Sequence, residues 1–437
     1  MENVFVKALK KELIPALGCT EPVGFALTAS TARKYAPGKV KKILMEGSGL
    51  MVIGVQSVGI PNTHGKRGGF LSAALGVLAG DPDLNMEVLN NVTDKDVQAG
   101  EELVAKLVKG GNITLDMVPG AKPIYLKVTV ITDEHTASVA LWNEHNGIKY
   151  IEADGKIIMD NRDQIEPDAD ANPYDTTGLN IESIYNFCKT CDIKELDHVK
   201  YGIELTKTLC KDGLDQKFGL QLAKTTQEKI ESGEITNDET QQVLMWTIAG
   251  IDARMGGSDY PAMSNTGSGN QGILCTMPSI AAGAFLGKSD EEVIRAAAFA
   301  NLVNIYLDYL SREYAHLSKQ CYCATVGPTS GACGVAFLHG DTVKMCSDVI
   351  RTSLGNLPGM ICDGAKPMCA LKSYSGLSSA MHIVLISEKG IAATNIEGIV
   401  GDTVEETIEN IYQLQKACMQ TTDEFVFDVK KAQGTII

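Results

Sequence analysis

A change in hydrophobic pattern near residue 160 constrains the fold of this chain more than any other feature. Before it, short runs rich in β-branched residues alternate apolar and polar positions, which predicts strands joined in antiparallel hairpins. After residue 178, nearly every apolar segment has helical spacing. The chain is also long enough, at 437 residues, for two cores. We therefore predict an α+β protein, with a small N-terminal α/β domain containing antiparallel strands and a larger, mostly α-helical second domain.

The segment between the two patterns, NRDQIEPDADANPYDTTG, is acidic and poor in aliphatic residues, which is typical of an exposed linker. The predicted domains are residues 1–160, a linker at 161–178, and residues 179–437. In the first domain we predict strands at 40–45, 50–55, 113–118, 124–132, 136–141 and 148–158, and helices at 5–17, 23–34, 70–79 and 86–109. In the second domain we predict helices at 181–188, 199–209, 214–231, 239–253, 273–285, 290–310, 342–354, 376–387 and 404–418.

Charge and cysteine content narrow the class of protein. The formal charge is −15, from 54 acidic and 39 basic side chains, and such a balance argues against nucleic acid or an anionic membrane surface as a partner. The N-terminal residues lack the uninterrupted apolar core of a signal peptide, so we expect a cytoplasmic protein. In that compartment twelve cysteines indicate metal ligands, catalytic groups or core residues in preference to disulfides. A homodimer is a further expectation.

Two glycine-rich stretches carry cysteines in the manner of a cofactor pocket. GMICDGAKPMCALK, at 359–372, contains Cys362 and Cys369, and CYCATVGPTSGACG, at 321–334, contains Cys321, Cys323 and Cys333. Thiolates on irregular, glycine-rich backbone can converge on a soft metal centre, because the chain bends closely around it and can present N–H groups to cluster sulfurs. The hypothesis is an iron–sulfur site. Zinc is less favoured because these stretches lack paired CxxC spacing.

Cys19 lies at the predicted start of a helix, in the turn GCTEP, with Thr20 as a candidate N-cap and Pro22 in the first turn. The exposed N–H groups of that turn would favour its thiolate, and a small buried cysteine is the alternative. Farther on, SVGIPNTHGKRGG is a predicted loop that holds His64, Lys66 and Arg67. These side chains suit carboxylate binding or proton transfer, and a solvated basic turn is the alternative.

A third stretch, SNTGSGNQG at 264–272, alternates glycine with polar residues just before a predicted helix. Backbone N–H groups there, together with Ser264, Asn265, Thr266 and Ser268, would bind a small anion such as an amino-acid carboxylate. The stretch has neither the Lys-Ser/Thr pair of a nucleotide phosphate loop nor the spacing of a dinucleotide turn. The FCKTC pair, Cys188 and Cys191, has no partner pair for zinc, and Cys210, Cys275, Cys346 and Cys418 are predicted core residues.

Taken together, five blocks of the chain resemble the iron–sulfur L-serine dehydratase α-chain superfamily, and within it the L-cysteine desulfidase branch. The blocks, in chain order, are LGCTEP at 17–22, GVQSVGIPNTHGKRG at 54–68, SNTGSGNQG, CYCATVGPTSGACG and GMICDGAKPMCALK. The resemblance implies an oxygen-sensitive [4Fe-4S] cluster and removal of a β-substituent and ammonia from a small amino acid. Serine dehydratases of this type can end in a cysteine, whereas this chain ends in Gly-Thr-Ile-Ile.

Residue by residue, the resemblance implies that Cys362 and Cys369 are paired cluster ligands and that the CYC segment supplies the third. Cys323 is chosen over Cys321. GCTEP, associated with the desulfidase branch, would place Cys19 near the cluster as a fourth ligand or a proton carrier.

Three thiolate ligands leave one iron open as a Lewis acid for the substrate. Cys19 and His64 are candidate bases for the Cα proton, while Lys66, Arg67 and the 264–272 stretch would hold the carboxylate. The predicted products from L-cysteine are hydrogen sulfide, ammonia and pyruvate. Two alternatives remain open: L-serine dehydration at the same cluster, and an iron–sulfur sensor with no turnover.

Overall fold

The structure, a computed structural model, describes residues 3–16, 18, 20–122, 124–164, 178–315 and 319–436. The described chain forms two compact units. The first, called here the sheet unit, comprises Gly18–Ala169, Asp363–Lys366 and Thr421–Ile437; the second, the helical unit, comprises Met1–Leu17, Asp170–Cys362 and Pro367–Gln420. The predicted linker falls mostly on 165–177, outside the described residues, so the predicted domain limits stay predictions.

The α-helices, in chain order, are α1 Val4–Glu12, α2 Thr20–Tyr35, α3 Gly49–Gly54, α4 Gly69–Ala79, α5 Asp94–Lys109, α6 Ile181–Thr190, α7 Asp197–Asp215, α8 Leu222–Glu231, α9 Glu239–Gly256, α10 Gly269–Leu286, α11 Asp290–Ala315, α12 Val326–His339, α13 Val343–Asn356, α14 Cys369–Ser387, α15 Val404–Cys418 and α16 Thr422–Ala432. The strands are β1 Pro15–Ala16, β2 Val40–Gly47, β3 Ile113–Met117, β4 Tyr125–Thr132, β5 Thr136–Trp142, β6 Ile148–Ala153, β7 Lys156–Asp160 and β8 Ala262–Met263. No helix among the described residues has the length and apolar character needed to cross a bilayer.

The sheet unit is built on one six-stranded sheet with the order β3-β2-β4-β5-β6-β7. All neighbouring pairs are antiparallel except β2 and β3, which are parallel. Along β4, buried and half-buried residues alternate strictly, because successive side chains of a strand point to opposite faces. The buried face packs with α2 into one core that includes Phe25, Ile43 and Leu126. The predicted α+β class with antiparallel strands is confirmed.

At the centre of the helical unit are α10 and α12, whose residues are buried over almost their whole length. The two helices approach closely at Gly331, where a Cβ atom would lie 2.2 Å from the Leu274 carbonyl oxygen. Strand β1 also belongs to this unit. Its residues Pro15 and Ala16 pair with Met263 and Ala262 of β8. That pairing leads directly into the polar stretch before α10.

Some predicted elements are wrong, and burial on all sides explains two of them. The segment predicted as a strand at 50–55 is α3, whose N-cap Ser48 accepts a hydrogen bond from the Met51 N–H; an apolar run without polar alternation does not distinguish strand from helix. The stretch 321–334, predicted as an irregular loop, forms most of α12. Its Pro328 lies in the first turn, where no N–H is needed, and its glycines allow close packing.

Other differences concern the ends of elements. The predicted strand 148–158 is two strands, since Asp154 and Gly155 have positive φ values of 50° and 74° and make the tight turn that Asp-Gly favours. The predicted helix 86–109 begins only at Asp94, after a capping box of Thr93 and Asp96. The predicted helix 214–231 is interrupted between α7 and α8, where Gln221 has φ of 57°. The predicted helix 5–17 ends at Glu12, and α16 was not predicted.

Candidate functional site

Two chain segments forty residues apart pair to bring Cys321 and Cys362 together. The Cys321 N–H donates to the Met360 carbonyl over 2.7 Å, and the Cys362 N–H donates to the Lys319 carbonyl over 2.7 Å. Gln320 and Ile361 form an antiparallel bridge between the same segments. The Cys321 and Cys362 thiols hydrogen-bond to each other. The backbone around Cys362, which was predicted to be irregular, is therefore ordered by pairing with the 319–321 segment of the same chain.

Cys369, the first residue of α14, lies near the same two thiols. The Lys372 ammonium, one turn later, donates to the Ile361 carbonyl over 2.8 Å and so fastens the start of α14 beside Cys362. A thiol at a helix start lies near N–H groups that carry partial positive charge, which favours its thiolate form.

Cys323 completes the group of four. It lies within a turn in which the Ala324 N–H donates to the Cys321 carbonyl over 2.8 Å. Its sulfur lies 3.8 Å from the hydroxyl oxygen of Ser268, the N-cap of α10. The polar stretch and the cysteine segment, predicted separately, thus meet at Ser268 and Cys323.

The pKa values of these thiols show how closely the four groups are placed. The pKa of Cys321 is raised by its hydrogen bond to Cys362, then by burial, and further by Cys323, Cys362 and Cys369. Burial, and then Cys369 and Cys362, raise the pKa of Cys323 to about 12, while Ser268 and Arg254 act in the opposite direction. Burial and the neighbouring thiols thus favour the protonated forms of Cys321 and Cys323. A bound soft metal would replace these protons, because metal ligation requires thiolates.

The donor set fits an iron–sulfur cluster. Within the described parts of the chain, no three His, Cys, Asp or Glu side chains are arranged to hold a metal ion. Thiolates on one zinc ion lie about 2.3 Å from it and must almost touch, whereas a cluster spreads its ligands over several irons. Sulfur donors supplied by a largely buried pocket, near helix-start and hydroxyl donors, are the environment that such clusters use.

The predicted carboxylate-binding residues of the 264–272 stretch differ from one another in their hydrogen-bond partners. The Ser264 hydroxyl donates to the Ile14 carbonyl over 2.6 Å. The Asn265 amide donates to Asn301 and accepts from Asn304. These two side chains hold the stretch in place. Thr266, with φ of 48°, also accepts from Asn304, so Ser268 is the member of the predicted set that the structure puts beside a cysteine.

His64, Lys66 and Arg67 belong to the sheet unit. His64 Nε2 lies 3.0 Å from Asp94 Oδ1, and both side chains are 83% exposed. Lys66 Nζ lies 2.5 Å from Glu101 Oε1, and Arg67 is exposed. His64 and Lys66 are thus paired with carboxylates of α5, which matches the solvated-turn alternative as well as the functional one.

Cys19 lies outside the described residues. Its neighbour Thr20 is the first residue of α2 and not the predicted N-cap. The Thr20 hydroxyl oxygen lies 3.2 Å from His145 Nε2, and burial lowers the pKa of His145. His145 was not predicted, since nothing in its sequence surroundings separates it from an ordinary turn residue.

The remaining cysteines divide into core and surface. Cys333 is fully buried in α12 and donates to the Cys346 carbonyl, so it is separate from the group of four. Cys210, Cys275 and Cys346 are buried as predicted. Cys418 is exposed, so its predicted place in the core is wrong.

Sequence reasoning also missed Arg254, a charged residue within the largely apolar helix α9. Its side chain is buried and its Nη1 donates to Asn270 Oδ1 over 3.0 Å. No local sequence signal marks it, because its burial depends on contacts with Gly269 and Asn270 of α10.

Fold and site together define an α+β protein in which four cysteines meet in the helical unit. Comparison with known proteins gives the family: the serine dehydratase alpha chain family matches residues 83–428, and the chain belongs to it. Similar chains are UPF0597 proteins from Clostridium perfringens, 32% identical over 98% of both chains, from Oleidesulfovibrio alaskensis, 34% identical over 97% of both, and from Shewanella pealeana, 34% identical over 98% of both. Membership supports a lyase of the serine dehydratase type and an iron–sulfur cofactor.

Proposed function

We propose that the protein is a cytoplasmic lyase that converts L-cysteine and water into hydrogen sulfide, ammonia and pyruvate, with an open-site [4Fe-4S] cluster as its cofactor. The observation that carries this proposal is the meeting of Cys321, Cys323, Cys362 and Cys369, two buried and two half-buried, in a chain of the serine dehydratase alpha chain family. Cys323, Cys362 and Cys369 are the proposed ligands. When bound, the cluster would supply an iron with a free position that acts as a Lewis acid.

The hydrogen bond between the Cys321 and Cys362 thiols allows Cys321 to support a ligand without being one. Cys323 faces the Ser268 hydroxyl and the charge of Arg254, both of which stabilise a thiolate. That difference supports Cys323 as the third ligand and Cys321 as a donor to its neighbour.

The protein's own residues must take the Cα proton and orient the substrate. Cys19 and His64 are the proposed bases, and Lys66, Arg67 and the stretch containing Ser264, Asn265, Thr266 and Ser268 are the proposed carboxylate-binding groups. Loss of the Cα proton with departure of sulfide gives 2-aminoacrylate. Its imine tautomer hydrolyses to pyruvate and ammonia.

L-Serine dehydration is the second candidate function, because the matching family carries that name. The two reactions need the same base and ligands and differ in the leaving group. Water leaving from serine requires a proton donor at the β-oxygen, whereas sulfide is itself a good ligand for iron.

Anaerobic reconstitution of the full chain with iron and sulfide, followed by assays of sulfide, pyruvate and ammonia, tests these functions. Equal yields of the three products from L-cysteine support the desulfidase. Pyruvate from L-serine alone would make the protein a dehydratase, and a stable cluster with no product from either amino acid would make it a sensor. Zinc-loaded protein is the control for activity that does not depend on iron.

A further inference from the structure

A buried cation lies beside the cysteine group. Arg254 is 9% exposed, and a Cβ atom on Gly269 would lie 2.4 Å from its Nε and 2.8 Å from its Cζ. The guanidinium therefore lies against the first turn of α10, where only glycine leaves room for it. Arginine keeps its charge when buried, and this charge acts on the Cys323 thiol.

The first turn of α10 also contains the buried side-chain amide of Gln271. Gln271 is 6% exposed, and across the described residues its Oε1 has no hydrogen-bond partner. A buried acceptor without a hydrogen bond destabilises the folded protein, and most such atoms in native structures have a partner.

Contacts at the start of α10 place Gln271 beside the cysteine group. The Gln271 N–H donates to the Ser268 hydroxyl oxygen over 3.3 Å, and that oxygen lies 3.8 Å from the Cys323 sulfur. Arg254 of α9 lies against Gly269 in the same turn, so both residues lie on the Cys323 side of the site.

We propose that Arg254 and Gln271 bind the two charged groups common to all α-amino acids. The planar guanidinium matches a carboxylate in a two-bonded arrangement, and the amide oxygen accepts from the α-ammonium group. The Ser268 hydroxyl lies at the same helix start. This inference rests on the proposed function for its ligand class. It adds these two residues to the groups proposed above to bind the amino acid and leaves the choice of β-substituent to other groups.

L-Alanine is a suitable probe because it carries both charged groups and has no β-leaving group. Its dissociation constant is measured by calorimetry on the cluster-loaded full chain and on the Arg254→Gln, Arg254→Lys and Gln271→Leu variants. We expect each of Arg254→Gln and Gln271→Leu to weaken binding by about tenfold or more, the loss typical of one charge-assisted hydrogen bond, with Arg254→Lys intermediate. Propionate, which lacks the ammonium group, should respond to Arg254→Gln and not to Gln271→Leu.

Arg351→Lys is the matched control, since Arg351 is also an arginine with a 13% exposed side chain and bonds to Asp348 on its own helix. Cluster absorbance and thermal midpoint are recorded for every variant. Unchanged L-alanine affinity in Arg254→Gln or Gln271→Leu would overturn the inference. If Arg254→Gln loses the cluster, Arg254→Lys and Gln271→Leu decide the result by the same measure.

The outcome is separable from that of the proposed function. A chain that binds L-alanine through Arg254 and Gln271 yet releases no product from L-cysteine or L-serine contradicts the lyase and retains this inference. An active enzyme whose variants bind L-alanine as the parent does contradicts this inference alone, as does failure of the parent chain to bind L-alanine.

Discussion

Four cysteines meet in the helical unit, and three of them are proposed ligands. Single serine substitutions can therefore distinguish the three ligands from the fourth cysteine. Cys323→Ser, Cys362→Ser and Cys369→Ser should each abolish the brown cluster absorbance and all lyase activity, because a hydroxyl is a poor ligand for this soft centre. Cys321→Ser should keep the absorbance, since it removes only a hydrogen bond to Cys362. Ultraviolet–visible spectra after anaerobic reconstitution measure the effect.

Cys418→Ser is the control for these variants because Cys418 is exposed on α15. A coloured, active Cys362→Ser protein would contradict the ligand assignment. Loss of colour in Cys321→Ser with retention in Cys323→Ser would exchange the roles of those two residues.

Gly364 lies between two proposed ligands in sequence and has a backbone conformation that favours glycine. Its φ is +91°, and a Cβ atom would lie 2.7 Å from both Cγ2 and the carbonyl oxygen of Ile53, a residue of the same compact unit. Gly364→Ala should therefore lower the free energy of unfolding by about 1–3 kcal/mol, measured by urea titration. Gly359→Ala, at a position with open space for a Cβ, should change it by less than about 0.5 kcal/mol.

At the scale of helices, His339 links three elements of the helical unit. It is the last residue of α12, its Nε2 lies 2.9 Å from Glu239 Oε1 at the start of α9, and its Nδ1 lies 2.7 Å from Glu388 Oε1 at the end of α14. The hydrogen bond to Glu239, opposed by burial and aided by Glu388, raises the pKa of His339 from 6.5 to about 9. A protonated side chain also suits the C-terminal end of a helix.

Because the folded pKa of His339 exceeds the unfolded one, its stabilisation is complete below about pH 6.5 and is lost as the pH rises through about 9. At 1.36 kcal/mol per pKa unit, the rise from 6.5 to about 9 corresponds to a loss of at most about 3.4 kcal/mol. His339→Gln should flatten the dependence of unfolding free energy on pH in this window, as measured by urea titrations at several pH values.

Asp341 supplies the control, because burial, Glu388 and an opposing effect of His339 give it a raised pKa of about 6. Its raised folded pKa also makes stability fall with rising pH, but between about 3.8 and 6. Asp341→Asn should remove that lower slope and leave the upper one. An upper slope that survives in His339→Gln would show that other groups produce it.

Helices and strands with one buried face are those that the sequence indicates most directly. The alternation in β4 and the apolar spacing of α15 are examples, whereas α3 and α12 are buried on all sides and carry no period to detect. The glycines of α12 have the composition of a loop but serve contact with α10. Composition and periodicity therefore fail for the same reason: close packing removes the polar face on which both depend.

At the scale of the whole molecule, the sequence indicated the segments whose cysteines meet but neither the exact set nor its surroundings. Irregular, glycine-rich sequence marks both the segment with Cys362 and Cys369 and the CYC segment, and resemblance to a family selects Cys323 within the latter, while Cys333 lies apart. Arg254 and Gln271 could not be predicted, because their place depends on how α9 packs beside α10. The separation of His64 and Cys321 into different compact units likewise follows from the course of the chain through space and from no local pattern.

The proposed cluster ligands come from three segments of the helical unit: residues 321–323, Cys362 and the start of α14. Loading the cluster should therefore stabilise this unit selectively. Metal ligation that joins separate segments contributes directly to folding free energy. We expect hydrogen exchange of peptides covering 319–326, 357–362 and the start of α14 to slow on reconstitution by about tenfold or more, equivalent to about 1.4 kcal/mol of local stability, while β4 and β5 in the sheet unit stay unchanged. Exchange followed by mass spectrometry measures this, and removal of iron with a chelator under anaerobic conditions should reverse it. Equal protection of β4 and β5, or none in the cysteine segments, would mean that these thiols do not share one metal centre.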